Sequence, residues 1–127
     1  MSDRHRVRSA SPYEAWIGFT RAVRAGNRIL VSATGPIAAD GTCAEGAGEQ
    51  ARRCLEIIFD ALAETGGAPR HVVRTRVYFT DSSYIEAVGK AHCEAFADIR
   101  PASTIVAVAG LADPRWKVEI EAEAVVS

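Results

Sequence analysis

The chain has no cysteine pair at redox or metal-ligand spacing. Cys43, Cys54 and Cys93 are odd in number and far apart, with no C-x-x-C among them, which argues against a disulfide framework and against a structural zinc site. No apolar run approaches the roughly 18–20 residues that a bilayer-spanning helix needs, and the N-terminus has no apolar signal-peptide core. A reduced, cytoplasmic protein without a membrane partner is the resulting expectation. Excess charge of one sign is also missing. Lys and Arg number 15 against 16 Asp and Glu, a net charge of −1, so no broad basic field exists to hold nucleic acid. Aromatic residues are only 7% of the chain, and no stacking platform for single strands stands out. G-x-G-x-x-G, P-loop, H-E-x-x-H and G-x-S-x-G are all absent.

What is present suits one folded domain. Hydrophobic residues make up 48% and charged residues 24% of 127 residues, enough to bury a core without staples. Residues 1–127 are expected to form that single domain, with 1–17 as an N-terminal extension. Arg4, Arg6 and Arg8 read as a solvated, frayed basic tail.

Hydrophobic periodicity gives the element order. Residues 18–25 alternate, with Phe19, Arg21 and Val23 on one side. Gly26-Asn27 signals a turn into "RILVSAT" (28–34), which predicts a hairpin. Ala51, Cys54, Leu55, Ile58 and Leu62 recur at helical steps and are stopped by Gly66-Gly67 and Pro69. In "VVRTRVYFT" (72–80), Val73, Thr75, Val77 and Phe79 share one face and Arg74, Arg76 and Tyr78 the other. Asp81 or Ser82 caps a second helix over 82–98, with Ile85, Val88, His92, Ala95 and Ile99 as its stripe. Strands at 103–109 and 116–126 follow, the last alternating Val118, Ile120, Ala122 and Ala124 against Lys117, Glu119, Glu121 and Glu123. The result is an α+β fold, ββ-α-β-α-ββ, a mixed sheet with two helices on one face. Its other face mixes arginines, glutamates and apolar groups, a surface that oligomerisation would cover.

Five segments in order, "GNRILVSATGPI" (26–37), "EQARRCLEIIFDALAETGG" (49–67), "HVVRTRVYFTD" (71–81), "AHCEAF" (91–96) and "KVEIEAEAV" (117–125), resemble the Rid family of YjgF-type reactive-intermediate deaminases, also described as L-PSP-type endoribonucleases. The resemblance spans about residues 18–126. It implies a chorismate-mutase-like (Bacillus-type) fold and a homotrimer with intersubunit clefts. The clefts of the deaminases hydrolyse imines or enamines such as 2-aminoacrylate, with no metal or organic cofactor.

The resemblance also implies site residues, and here the chain departs from its pattern. The arginine of the family's P-A-R-S turn, which grips the substrate carboxylate through a planar two-pronged donor, falls on Ser103 of Pro101-Ala102-Ser103-Thr104. Arg100 lies just upstream, and Ile105 stands where a cysteine is common. The water-positioning glutamate falls on Glu119, the candidate catalytic residue. A second reading pairs Glu119 with Arg74 or Arg76 in an intersubunit ion network. Phe19 replaces a cleft tyrosine, Arg21 a glutamine-like position, and Ser32 keeps the family serine. His92 falls on a tyrosine position, though a histidine on an apolar stripe is usually packed and hydrogen-bonded. The expected substrate-binding set is Phe19, Arg21, Ser32, Ser103, Thr104 and Ile105, with Glu119 as base and Arg100 and His92 as outlying candidates. Three functions compete: hydrolysis of a small imine, enamine or related metabolite other than the usual 2-aminoacrylate; a non-catalytic trimeric module binding a small molecule or protein; and RNA cleavage, against which the charge balance counts.

Overall fold

The computed structural model describes residues 4–127. Its elements in chain order are β1 (His5–Val7), α1 (Glu14–Ile17), β2 (Ala22–Ala25), β3 (Arg28–Thr34), α2 (Ala47–Glu64), β4 (Val72–Phe79), α3 (Ile85–Phe96), β5 (Ala102–Ala107) and β6 (Val118–Val125). Six strands form one sheet in the order β1-β2-β3-β6-β4-β5. β4 and β5 are parallel and every other pair is antiparallel. The α+β architecture, with a mixed sheet and both long helices on one face, matches the sequence expectation.

The core lies between the helices and one sheet face. Ala51, Cys54, Leu55, Ile58 and Leu62 of α2 are all buried against Ile29, Val31, Val77, Val118, Ile120 and Ala122 of the sheet. In β6 buried and half-buried residues alternate through all eight positions, so Glu119, Glu121 and Glu123 project from the open face. The β2–β3 turn uses Gly26 at φ +62°, a left-handed conformation that costs glycine nothing.

Four expectations need correction. The N-terminal arginines do not fray: His5–Val7 pairs with Ala22–Arg24 as an edge strand. Arg8 Nε donates to Glu14 at 2.8 Å, and the Ser9 N–H donates to the same carboxylate at 2.8 Å. Those two donors hold the Glu14 carboxyl below its usual pKa, the Ser9 backbone bond being the larger cause. Phe19 and Arg21 precede β2 and are not part of a long strand. In β4 the register slips between Val72 and Arg74. This irregularity buries Val72 (3% exposed) and leaves Val73 exposed (47%), because a one-residue slip inverts which side chain faces the core. In α3 the buried residues are Val88, Ala91 and Phe96. Ile85 is exposed because a single 3₁₀ turn, Ser82–Tyr84, opens the helix and places Ile85 before the line of core contact. Asp81 does cap that turn, accepting from the Ser83 N–H at 2.8 Å.

α3 ends where Ile99 and Arg100 both donate to the Phe96 carbonyl, at 3.0 and 2.8 Å. Arg100 has φ +55° and is the one non-glycine residue with positive φ among those described. It is therefore the left-handed terminator that hands the chain to Pro101.

Candidate functional site

Gln50 anchors the start of the strand that carries Glu119. It is fully buried in the first turns of α2. Its Nε2 donates to the carbonyls of Ala44 (2.7 Å) and Arg115 (3.0 Å), and its Oε1 accepts the Lys117 N–H at 2.7 Å. Three backbone groups from two loops are thereby tied to one helix, and the chain emerges from that knot into β6, two residues before Glu119.

Glu119 is flanked by Val118 and Ile120, which face the helices, so its carboxylate lies on the open face beside Tyr78, its register partner. The open face carries a row of ion pairs. Arg76 meets Glu121 at 3.2 Å, Arg28 meets Glu123 at 2.9 Å, and Arg74 meets Glu123 at 3.6 Å. Tyr78 donates its hydroxyl to Glu121. Among the described residues, none of these partners reaches Glu119. Within one chain the ion pairs thus take Glu121 and Glu123 and leave Glu119 out. Burial raises the Glu119 pKa above the ordinary value, partly opposed by Arg21 and reinforced by Glu121.

Glu119 lines a cavity of about 820 Å³ together with Phe19, Arg21 and Ser32. Tyr13, Trp16 and Trp116 are also in its wall. Arg21 Nη1 donates to Thr34 Oγ1 at 2.8 Å, and burial lowers its pKa. The Ser32 hydroxyl donates to the Thr20 carbonyl at 2.7 Å, which fixes its rotamer and leaves its oxygen free to accept. Gly35 is required at the cavity rim: a Cβ there would lie 2.5 Å from the Trp116 ring.

The remaining candidates are elsewhere. Ser103 is the register partner of Thr75, and Thr75 donates to Ser103 Oγ at 2.7 Å. Thr75 faces the core, so Ser103 and Glu119 occupy opposite faces of the sheet within one chain. Ile105 pairs with Val77 on the same face as Ser103, whereas Thr104 pairs with Arg76 on the face of Glu119. Every residue of β5 is exposed. None of Ser103, Thr104, Ile105, His92 or Arg100 lines the cavity.

His92 has its own partner. Its Nε2 is 2.8 Å from Thr75 Oγ1. With the Thr75 proton given to Ser103, the neutral ring must donate through Nε2–H. Its ring also packs on Phe96 at 4.7 Å. Burial depresses the His92 pKa. The folded chain therefore binds fewer protons than the unfolded one, and stability is lost as pH falls through the ordinary histidine value of about 6.5 toward the depressed one. Melting temperatures between pH 8 and 5 are expected to drop less in His92→Gln than in the wild type.

Cys43, Cys54 and Cys93 are all free thiols. Cys54 is buried in the core, which pushes its pKa up and makes it inert. No group of three or more His, Cys, Asp or Glu is arranged to hold a metal ion among the described residues. No helix there is long and apolar enough to cross a membrane.

Comparison with known proteins gives consistent matches. The family model described as endoribonuclease L-PSP matches residues 9–126. The uncharacterised protein SCO2049 of Streptomyces coelicolor is 41% identical over 120 residues, which is 94% of this chain and 90% of that protein. The crystal structure of Rv2704 from Mycobacterium tuberculosis, a member of the YjgF/YER057c/UK114 family, superposes with a TM-score of 0.90 at 39% identity, covering 98% of this chain and 100% of that one. TdcF of E. coli, solved with bound serine, shares the fold at a TM-score of 0.83 and 23% identity, covering 96% of this chain and 94% of that one.

Proposed function

The chain belongs to the Rid/YjgF family, whose family model is described as endoribonuclease L-PSP, and we propose that it is a hydrolase acting on a small imine or enamine, assembled as a homotrimer. The observation that carries this reading is Glu119: a half-buried carboxylate of raised pKa, outside the ion-pair row, in the wall of a cavity that also holds Arg21. A carboxylate so placed accepts a proton from water as the water oxygen bonds to the imine carbon. That proton is returned to nitrogen to give the carbinolamine R₂C(OH)NH₂, whose hydroxyl proton then passes to nitrogen as the C–N bond breaks and the C=O bond forms. The balance is R₂C=NH + H₂O giving R₂C=O + NH₃, with no redox change. The absence of a cation at Ser103 and its position on the opposite face favour a substrate other than 2-aminoacrylate held in the usual family manner. The same absence motivates the second reading, a trimer that binds a metabolite without turning it over. RNA fits poorly, because 15 Lys and Arg stand against 16 Asp and Glu, which leaves no broad basic field.

The trimer reading rests on β5. It is a sheet edge exposed along its whole length, with Ile105 and Val106 each 40% exposed. An unpaired apolar edge of this kind invites a partner. Sedimentation equilibrium is expected to give three times the 13.6 kDa chain mass, and a monomer at micromolar concentration would rule the assembly out. For activity, imines generated from several amino acids are mixed with the protein and ammonia is followed. Release above the spontaneous rate is expected. Saturable ligand binding with no acceleration would favour the non-catalytic module instead.

A further inference from the structure

We propose that Ser103 is the nucleophile of a second site, on the helix side of the β5 edge, where it takes an acyl group from a small activated ester while Thr75 passes its proton to His92. This goes beyond the hydrolase proposed above, since neither Glu119 nor the cavity takes part.

The observation that carries it is an unbroken line of three side chains from three elements. Ser103 Oγ lies 2.7 Å from Thr75 Oγ1, and Thr75 Oγ1 lies 2.8 Å from His92 Nε2. β5, β4 and α3 each supply one member. The outer end is open and the middle is not: Ser103 is exposed, Thr75 is fully buried and His92 is half-buried. A hydroxyl turns its proton either way, and a neutral imidazole carries its proton on either nitrogen. The same two distances therefore hold a second order of donation. Ser103 donates to Thr75, Thr75 donates to Nε2, and the ring proton sits on Nδ1. In that order the exposed oxygen has a base behind it, two hydrogen bonds away.

His92 suits the part. Burial alone lowers its pKa, which keeps the ring uncharged and able to accept a proton near neutral pH. Two charged groups of the helix pair, Glu94 of α3 and Arg52 of α2, are spent on each other at 2.8 Å. The Phe96 ring packs on the imidazole with centroids 4.7 Å apart and fixes its place.

The sheet edge supplies a donor for the developing oxyanion. β5 is the last strand of the sheet. The Val108 N–H donates to the Phe79 carbonyl at 2.8 Å, and N–H direction alternates along a strand. The N–H groups of Val106 and Thr104 therefore turn toward β4, while those of Ile105 and Ser103 turn to the open edge. The Ser103 N–H thus lies outside the ladder, next to its own Oγ, where it can donate to the oxygen of an attacked carbonyl.

In the step, Ser103 Oγ bonds to the ester carbonyl carbon as its proton moves to Thr75 Oγ1 and the Thr75 proton moves to Nε2. The C–O bond to the alcohol then breaks, and the imidazolium gives its proton back through Thr75 to the departing oxygen. The balance is Ser–OH + RC(=O)OR′ giving Ser–O–C(=O)R + R′OH, with no redox change. Ser103 is the catalytic residue, and Thr75 and His92 act through it.

The test mixes the native protein with p-nitrophenyl acetate and times acetylation of each serine by peptide mass spectrometry. Ser82 and Ser83, exposed serines that no histidine backs among the described residues, are the internal reference. Ser103 is expected to take up acetyl about 10²-fold or more faster than either. H92Q, which keeps a hydrogen-bonding group but no base, and T75V are expected to slow Ser103 by about the same factor. T75S, which keeps the hydroxyl, is expected to stay close to wild type. The wild-type rate should fall at low pH with a midpoint below about 6.5, as the imidazole takes up a proton, and that limb should be missing in H92Q. Acetylation of Ser103 no faster than of Ser82 and Ser83, a wild-type rate in H92Q, or T75S as slow as H92Q would overturn the proposal. T75V enters only if it melts cooperatively, and wild type, H92Q and T75S decide the matter without it.

Discussion

Glu119→Gln is expected to lower imine hydrolysis by about 10²–10⁴-fold, the usual contribution of a positioned acid–base group, while thermal stability near neutral pH holds or rises. The two halves have one cause. Burial disfavours the ionised carboxylate, so between the ordinary glutamate value near 4.5 and the raised folded value the native state holds more protons than the unfolded chain. Stability is lost as pH rises through that window, and glutamine, which never ionises, removes the loss. Glu121→Gln should behave in the opposite way. Glu121 is held by Arg76 and by the Tyr78 hydroxyl, and its replacement strips a charge from that pair. It is expected to cost stability and to leave turnover much closer to wild type. If the two variants lose activity equally, the open face acts as one electrostatic unit and Glu119 has no special place in it.

The second large effect is structural. Gln50→Leu keeps the side-chain volume and apolar packing but leaves the Lys117 N–H and the carbonyls of Ala44 and Arg115 without their buried partner. At about 1 kcal/mol per net hydrogen bond, plus the desolvation cost of groups left unpaired, the loss should reach about 3–5 kcal/mol. That is a large share of the roughly 5–15 kcal/mol that holds a domain together. Urea unfolding is expected to show a lower midpoint with an unchanged slope. A loss below about 1 kcal/mol would mean that the loops at Ala44 and Arg115 are held by other contacts. The site should feel this change, since the knot lies two residues before Glu119.

The long periodic elements were legible in sequence, and the reasons are plain in the structure. α2 packs an unbroken stripe on the sheet, and β6 sits mid-sheet with one face buried, so hydrophobic alternation had to survive in both. What was missed has no such period. β1 is three residues long and polar in two of them. α1 is a single turn, although "SPYE" (11–14) carries the serine, first-turn proline and third-position glutamate of a helix start. Two hydrogen bonds from local backbone to Ser9 and Ser11 hydroxyls lead into it. The β4 irregularity changed the phase of Val72 and Val73, which two adjacent valines cannot reveal. Gln50 carries no sequence signal of its own, because a polar residue at a helix start is usually on the surface.

The site was legible in part. Phe19, Arg21, Ser32 and Glu119 do share one cavity wall, and two of the four, Phe19 and Arg21, precede β2 and lie outside the regular strands. Ser103, Thr104 and Ile105 lie on the exposed edge, so a single chain does not join the two halves of the expected constellation. Tyr13 and Trp16 line the cavity from a segment that the sequence reading assigned to an extension.

The most direct test of Glu119 as the base is the pH dependence of kcat/KM for imine hydrolysis, corrected for the spontaneous rate, since this parameter reports ionisation of the free enzyme. The rate is expected to fall with decreasing pH along a single limb whose midpoint lies above the ordinary glutamate value, and that limb should be missing from the residual activity of Glu119→Gln. A flat profile from pH 4.5 to 8, or a limb that persists unchanged in the variant, would contradict the account.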